Sequence, residues 1–388
     1  MTEPYFIVDL ETTVYNRGEG AVGKFSASPW HPQNRIVAAG YKRGVGSVLI
    51  DYDTCGVRLP TQDEIVVGHN IKFDLQYLRR YSPAWGQWLC RGHVWDTMLA
   101  EYLLSGQSLT YPSLDLCSAR YGGTAKDPLV SEYWEQGMET EDIPQEQLCE
   151  YLRHDVLNTE LVYLAQRAKA RELGMEALIW ANMEALLATA EMEYNGMWFD
   201  ARGALVKAEE LAAHKKGLEE KICDILAIHL PDGVLPNASS REQLSAALFG
   251  GSFMVPTAVA VCVEDAPILY KTGPRKGEPK TRIEPRAFGT DGLGLVTKSE
   301  WVTSKSGVYQ VNDGVLQALK CDTVGGNLVS AVLEYRKLEK DISTYYRGYS
   351  NLTWGDNCIH PSLEHCSTAT GRLSCTRPNL QNVTGETT

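Results

Sequence analysis

The sequence predicts an α/β domain, with helices laid against a mixed sheet, followed by a second, mainly helical region. Apolar β-like runs alternate with helical patterns through the first 170 residues. Beyond them, apolar residues recur at helical spacing over three long spans, interrupted between 251 and 312 by a stretch rich in Gly, Pro, Thr and Val. A chain of 388 residues, at about 150 residues per domain, has room for two or three domains, and the change of pattern supports two.

Strands are predicted at Tyr5 to Leu10, Arg35 to Tyr41, Ser47 to Tyr52 and Ile65 to Gly68. Helices are predicted at Phe73 to Tyr81, Thr97 to Leu104, Ser113 to Tyr121 and Gln145 to Ala170. The segment Arg171 to Gly174 marks a boundary, which gives domains of 1–172 and 173–388. Further helices are expected over Met175 to Tyr194, Ala201 to His229 and Asn327 to Tyr346. Residues 251–312 read as loops with short strands, and within them 271–286 hold six Lys or Arg against Glu278 and Glu284.

A hydrophobic fraction of 44% and a charged fraction of 22% exclude a disordered or fibrous chain. The net charge of -12 opposes phosphate binding over most of a surface, yet carboxylates that hold cations reverse the field locally. Ten cysteines without a CxxC pair, Cys55 among them, predict reduced thiols rather than a zinc site or a disulfide framework. No basic leader precedes the apolar run Tyr5 to Val8, and no run of 18 apolar residues occurs, so the cytoplasm is expected and a membrane is not.

Three carboxylate clusters carry the chemistry. Asp9 and Glu11 close the first strand two residues apart, which points both to one face. Asn70 and Asp74 stand where a short apolar strand turns into a helix, and Tyr151 and Asp155 share one face of a later helix at a spacing of four. Each pair alone reads as readily as a solvated acid, a cap or an ion pair. Together, D-x-E, N-x-x-x-D and Y-x-x-x-D on these elements resemble the DEDD exonucleases, in the subgroup with Tyr four residues before the last Asp. The histidine subgroup would place His at 150, where Glu150 stands.

The resemblance implies an RNase H-like fold and removal of nucleotides from DNA 3' ends with two divalent ions, Mg²⁺ or Mn²⁺. Asp9, Glu11, Asp74 and Asp155 would be the metal ligands, Tyr151 would position the attacking water, and Leu10, Thr12 and Asn70 would touch the substrate strand. The chemistry accords with these residue types, because hard cations take oxygen ligands and two ions can share one phosphate. His154 faces about 100° from Asp155 on the helix and reads as structural.

Near the C-terminus, Thr368-Ala-Thr-Gly-Arg-Leu-Ser-Cys-Thr-Arg-Pro-Asn-Leu-Gln-Asn382 resembles the T-x-T-G-R-L-S-S-x-x-P-N-L-Q-N signature of family A DNA polymerases, with Cys375 in place of the second Ser. Weaker matches lie at Ala190 to Asp200, Ser239 to Phe249 and Leu333 to Lys340. This resemblance implies a mainly α thumb over about 201–350 and the start of an α+β palm at 351–388. Thr370, Arg372, Asn379 and Gln381, with Arg336 and Lys337 of the thumb helix, would contact primer-template duplex. Only six residues follow Asn382, so the chain reads either as one half of a split phage enzyme, which is preferred, or as a truncated product, and a second polypeptide with the remaining palm and fingers is expected for synthesis. The basic stretch 271–286 reads either as a solvated loop or as a contact to duplex phosphates or to a processivity factor, which would then be a further partner at 251–312. A non-catalytic DNA-binding scaffold and an RNA 3'-end nuclease are the competing readings.

Overall fold

The computed structural model describes residues 3–15, 27–53, 57–124, 128–263, 266–305, 307–321 and 323–383. Cys55, the first two residues and the last five lie outside them. The chain forms two compact units, one of Met1–Arg202 with Gly348–Thr388, the other of Gly203–Arg347.

The first unit is built on a five-stranded sheet of β1 (Tyr5–Thr12), β2 (Ile36–Arg43), β3 (Leu49–Tyr52), β4 (Ile65–Gly68) and β5 (His93–Asp96), in the order β3-β2-β1-β4-β5. β1 pairs antiparallel with β2 and parallel with β4, and β4 pairs parallel with β5, so the sheet is mixed as expected. Both faces are covered, which is why Phe6-Ile-Val8 and Ile36-Val-Ala-Ala39 read as unbroken apolar runs.

Around the sheet lie α1 (Ile71–Tyr81), α2 (Pro83–Leu89), α3 (Thr97–Leu104), α4 (Leu114–Arg120), α5 (Leu129–Glu135), α6 (Gln145–Glu172) and α7 (Glu176–Asn195). The short strand β6 (Met197–Trp198) follows. Strand β5 and helix α2 were not expected from the sequence. β5 is four residues long and carries no alternation, while Pro83 and Gly86 disguise α2 as a turn. The compact units also part from the expected break after 172. Ile179, Met183 and Leu186 of α7 join the sheet's own core beside Trp95, so α7 belongs with the sheet.

The second unit packs α8 (Ala201–His229), α9 (Arg241–Phe249), α10 (Asp313–Ala318) and α11 (Thr323–Lys340) around Ile222, Leu226, Leu248, Leu328 and Val332. A π-helical segment, Asp341–Gly348, prolongs α11. Between α9 and α10, where loops with short strands are expected, two of the strands are long and form a ribbon: β7 (Gly251–Ala260) pairs antiparallel with β10 (Thr281–Thr290) at ten positions, with the small pair β8 (Cys262–Val263) and β9 (Ala266–Pro267) towards its tip. Pro256 and Pro285 hid the length of these strands from the sequence, but they stand opposite each other, where the ladder asks neither for an N–H.

The chain then returns to the first unit through α12 (Tyr349–Leu352), β11 (Cys358–Ile359), which pairs with β6, and the hairpin of β12 (Ser362–Glu364) and β13 (Ser374–Thr376). Among the described residues no helix is long and apolar enough to cross a membrane.

Candidate active site

Asp9 and Glu11 project from one face of β1, and the register with β2 shifts between Glu11 and Thr12, a bulge at the strand's end of the kind that re-aims side chains. Asp155 reaches the same place from α6. Carboxylate oxygens of Asp9, Glu11 and Asp155 all lie within 4.8 Å of one another. Asp74, in the first turn of α1, is only 3% exposed. Burial holds its carboxyl well above the ordinary range, and the charges of Asp9 and then Glu11 push it further, so its field belongs to the same cluster. Of the four acids expected together, the fold gathers Asp9, Glu11 and Asp155, and Asp74 lies within reach of the charges of Asp9 and Glu11.

One glycine makes that approach feasible. Gly40 on β2 is the register partner of Asp9, and a Cβ there would stand 2.7 Å from Val156 and 3.0 Å from Leu152, the residues that flank Asp155 on α6. The helix thus lies close on the sheet where its acid must meet those of β1.

Asn70 occupies the N-cap position of α1 with φ 54°, but its side chain makes no cap bond. The cap comes from Asp96, which sequence reasoning missed. Its buried carboxylate accepts N–H bonds from Asn70 at 3.2 Å and Ile71 at 3.1 Å, and from Met98 at 2.8 Å and Leu99 at 3.1 Å. One acid therefore closes the N-termini of both α1 and α3. Burial outweighs these four donors and raises its carboxyl to about 6. The signal was legible as an Asp ending an apolar run just before a helix.

Tyr151 is half-buried on α6, its ring edge-on to Trp134 at 5.5 Å, and the Trp134 indole N–H donates to Thr140 at 3.2 Å. His154 turns elsewhere, towards the Thr124 hydroxyl and the Asn158 amide, in a structural setting. Leu10 is buried in the sheet's core, and buried Thr12 shares a hydrogen bond with Tyr77, so neither presents much side chain outward.

The C-terminal signature folds as a small module. The Tyr102 hydroxyl donates to the Thr368 carbonyl at 2.6 Å, Thr368 donates to the Arg372 carbonyl at 2.9 Å, and Gln381 donates to the Leu373 carbonyl at 3.2 Å. Asn379 accepts the Gln381 N–H at 3.0 Å. Buried Cys375 anchors the module, while the side chains of Thr370, Arg372, Asn379 and Gln381 are exposed. Half-buried Lys72, two residues before Asp74, pairs with Glu193 of α7 at 2.6 Å and also donates to the Leu363 carbonyl of β12. Arg336 and Lys337 stand in the other unit. Arg336 is held by the Val311 carbonyl at 2.6 Å and Asp313 at 3.0 Å, Lys337 is exposed, and neighbouring Tyr335 is a core residue.

A family model for DNA polymerase family A matches residues 290–388. DNA polymerase I of Synechocystis sp. is 27% identical over 322 residues, 81% of this chain and 26% of the relative. The chain is similar to family A DNA polymerases. DNA polymerase I of Bacillus subtilis is 26% identical over 298 residues, 76% of this chain and 27% of the relative. The DNA polymerase of Bacillus phage SP01 is 22% identical over 335 residues, 83% of this chain and 34% of the relative. The chain therefore spans about a quarter to a third of the length of these relatives. Among solved structures, the POL domain of Pol1 from M. smegmatis in complex with DNA primer-template and dNTP aligns with a TM-score of 0.62 at 18% identity, covering 98% of this chain and 52% of that one. That likeness concerns the fold.

Proposed function

We propose that the first unit is a 3'-5' exonuclease of the DEDD type acting on DNA, the proofreading part of a family A polymerase. The observation that carries this reading is the convergence of Asp9, Glu11 and Asp155, with buried Asp74 in their field and Tyr151 one turn from Asp155. The mixed sheet with α6 packed across it supports an RNase H-like reading of the unit. An oxygen-only set of four acids fits hard divalent cations, since such a cluster of like charges is costly without a counter-cation. Asp9, Glu11, Asp74 and Asp155 would hold two ions, which when bound supply the charge that activates water and stabilises the leaving 3' oxygen. The Tyr151 hydroxyl, steadied by Trp134, orients the attacking water. Arg372, Asn379 and Gln381 are donors suited to the minor-groove acceptors shared by all base pairs, and their exposure supports a duplex-contacting role.

The test is degradation of a 5'-labelled single DNA strand in Mg²⁺, in Mn²⁺ and in chelator, beside an RNA strand of the same sequence. Shortening from the 3' end that needs a divalent ion is the expected result, and preference for the RNA strand would replace the substrate assignment. Tyr151→Phe is expected to slow cleavage roughly 10- to 100-fold, less than loss of a ligand, because only water orientation suffers. An equal loss in Tyr151→Phe and Asp155→Ala would refute that division of roles. Gly40→Ala should also slow cleavage while the protein stays folded, since α6 must shift away from β1; unchanged rates would show that Val156 and Leu152 yield instead.

A further inference from the structure

Among the described residues, one face of the β7–β10 ribbon, that of Met254, Ala258, Ile283 and Ala287, is exposed along its whole length, while the other joins the helical core at Phe253, Val255 and Phe288 and is in part half-buried beyond them. Phe253 at its base is buried, but outward from there exposed and half-exposed residues alternate, and the tip from 271 to 283 is exposed throughout. A free two-stranded ribbon is marginal by itself, so an arm of this length invites an explanation. Ten paired residues at about 3.4 Å each reach on the order of 34 Å, close to one turn of a DNA duplex.

Its two faces differ. Across the ladder, Arg282 meets Val259, Glu284 meets Thr257 and Arg286 meets Val255 on one face; the other pairs Met254 with Ala287 and Ala258 with Ile283 and carries no charge. At the tip, Lys271, Arg275, Lys276 and Lys280 are all exposed, and the Tyr270 ring steadies Arg275 at 4.8 Å and Lys280 at 5.8 Å. Six cations against two acids between 271 and 286, in a chain of net charge -12, reverse the sign of the local field. Glu278 and Glu284 pair only with Arg275 and Arg282 among these cations, in exposed contacts that cost little to open. The facing prolines blunt the middle of both strand edges, which disfavours strand addition by another chain. The uncharged face has only a handful of side chains, against about 20–30 residues a side in a stable protein interface.

We propose that the β7–β10 ribbon is a DNA-binding arm that meets the phosphate backbone of duplex DNA with its basic tip and its Arg282–Arg286 face. A two-stranded ribbon is of a width that the major groove admits. The inference rests on the reading of the chain as one that acts on DNA, though not on its nuclease chemistry.

Binding of a labelled DNA duplex, followed by fluorescence anisotropy across a salt series in chelator, tests it. Lys271→Ala/Lys276→Ala/Lys280→Ala is expected to lower the slope of log affinity against log salt by about 3, and to leave cleavage of short single strands in Mg²⁺ unchanged. Charge reversal in Lys276→Glu/Lys280→Glu should lower affinity further at an unchanged melting temperature. An unchanged slope in the triple variant overturns the proposal. So does an unchanged slope accompanied by conversion of a dimer to a monomer in Met254→Ser/Ile283→Ser, which would assign the ribbon to a second copy of the chain. A reduced slope in a chain without nuclease activity upholds the arm and defeats the nuclease reading.

Discussion

Asp9→Ala/Glu11→Ala is expected to lose 3'-end degradation of DNA by orders of magnitude while keeping the fold. Both residues lie on one face at the end of β1, half-buried rather than in the core, so their removal opens no cavity. Their charges also help push the Asp74 carboxyl upward. Deleting them therefore relieves repulsion in the metal-free protein, and a melting temperature equal to or above that of the parent is expected. Activity and stability should move in opposite directions, the pattern of a site whose acids are kept for chemistry rather than for folding. The measurements are single-turnover cleavage of a labelled strand in Mg²⁺ and thermal unfolding in chelator. Retained cleavage would remove the basis of the assignment, and a large drop in melting temperature would make these two acids structural.

Asp96→Ala should fail in the other sense. Four N–H groups at the starts of α1 and α3 lose their shared acceptor in a buried place, at a cost on the order of 3–5 kcal/mol. For a unit of this size that lowers the melting temperature by roughly 10 °C. Because α1 carries Asp74, the protein that still folds should also need more Mg²⁺ for half-maximal cleavage, which a purely global loss of stability would not produce. The pH dependence has a definite sign. Burial raises this carboxyl to about 6, so the folded state binds its proton more tightly than the unfolded chain does. Its contribution to stability is full below about pH 4 and is lost as pH rises through about 6. The parent's stability should carry this component between those values, and Asp96→Asn should lack it. Identical pH profiles for the two proteins would show that Asp96 titrates outside that window.

What the sequence revealed was decided locally. Ile65–Gly68 and Thr97–Leu104 were legible to the residue because each is bounded by turn or capping residues and patterned by burial. The acids of the candidate site were legible because their spacing on strand and helix fixes their direction. Contacts between distant segments were not. Nothing in Glu176–Asn195 tells a reader that Ile179 and Met183 turn towards Trp95 rather than towards the helices that follow. Trp134 steadies Tyr151 from a separate helix, and Asp96 caps a helix that begins 25 residues before it. The ribbon was hidden differently, since proline and glycine usually mark loops, and only its register reveals that two prolines face one another harmlessly.

The Lys72–Glu193 pair and the signature hairpin make one body of segments that are far apart in the chain. The Ser350 hydroxyl donates to the Ala201 carbonyl at 3.3 Å, so the chain leaves this body and comes back to it almost at the same point. For protein engineering, the intervening helices and their arm are a cassette between neighbouring ends. Replacing 203–347 with a short Gly-Ser linker should leave a soluble remainder with its carboxylates in place, whereas cutting after 172 would strip Ile179, Met183 and Leu186 from the core and leave an insoluble fragment.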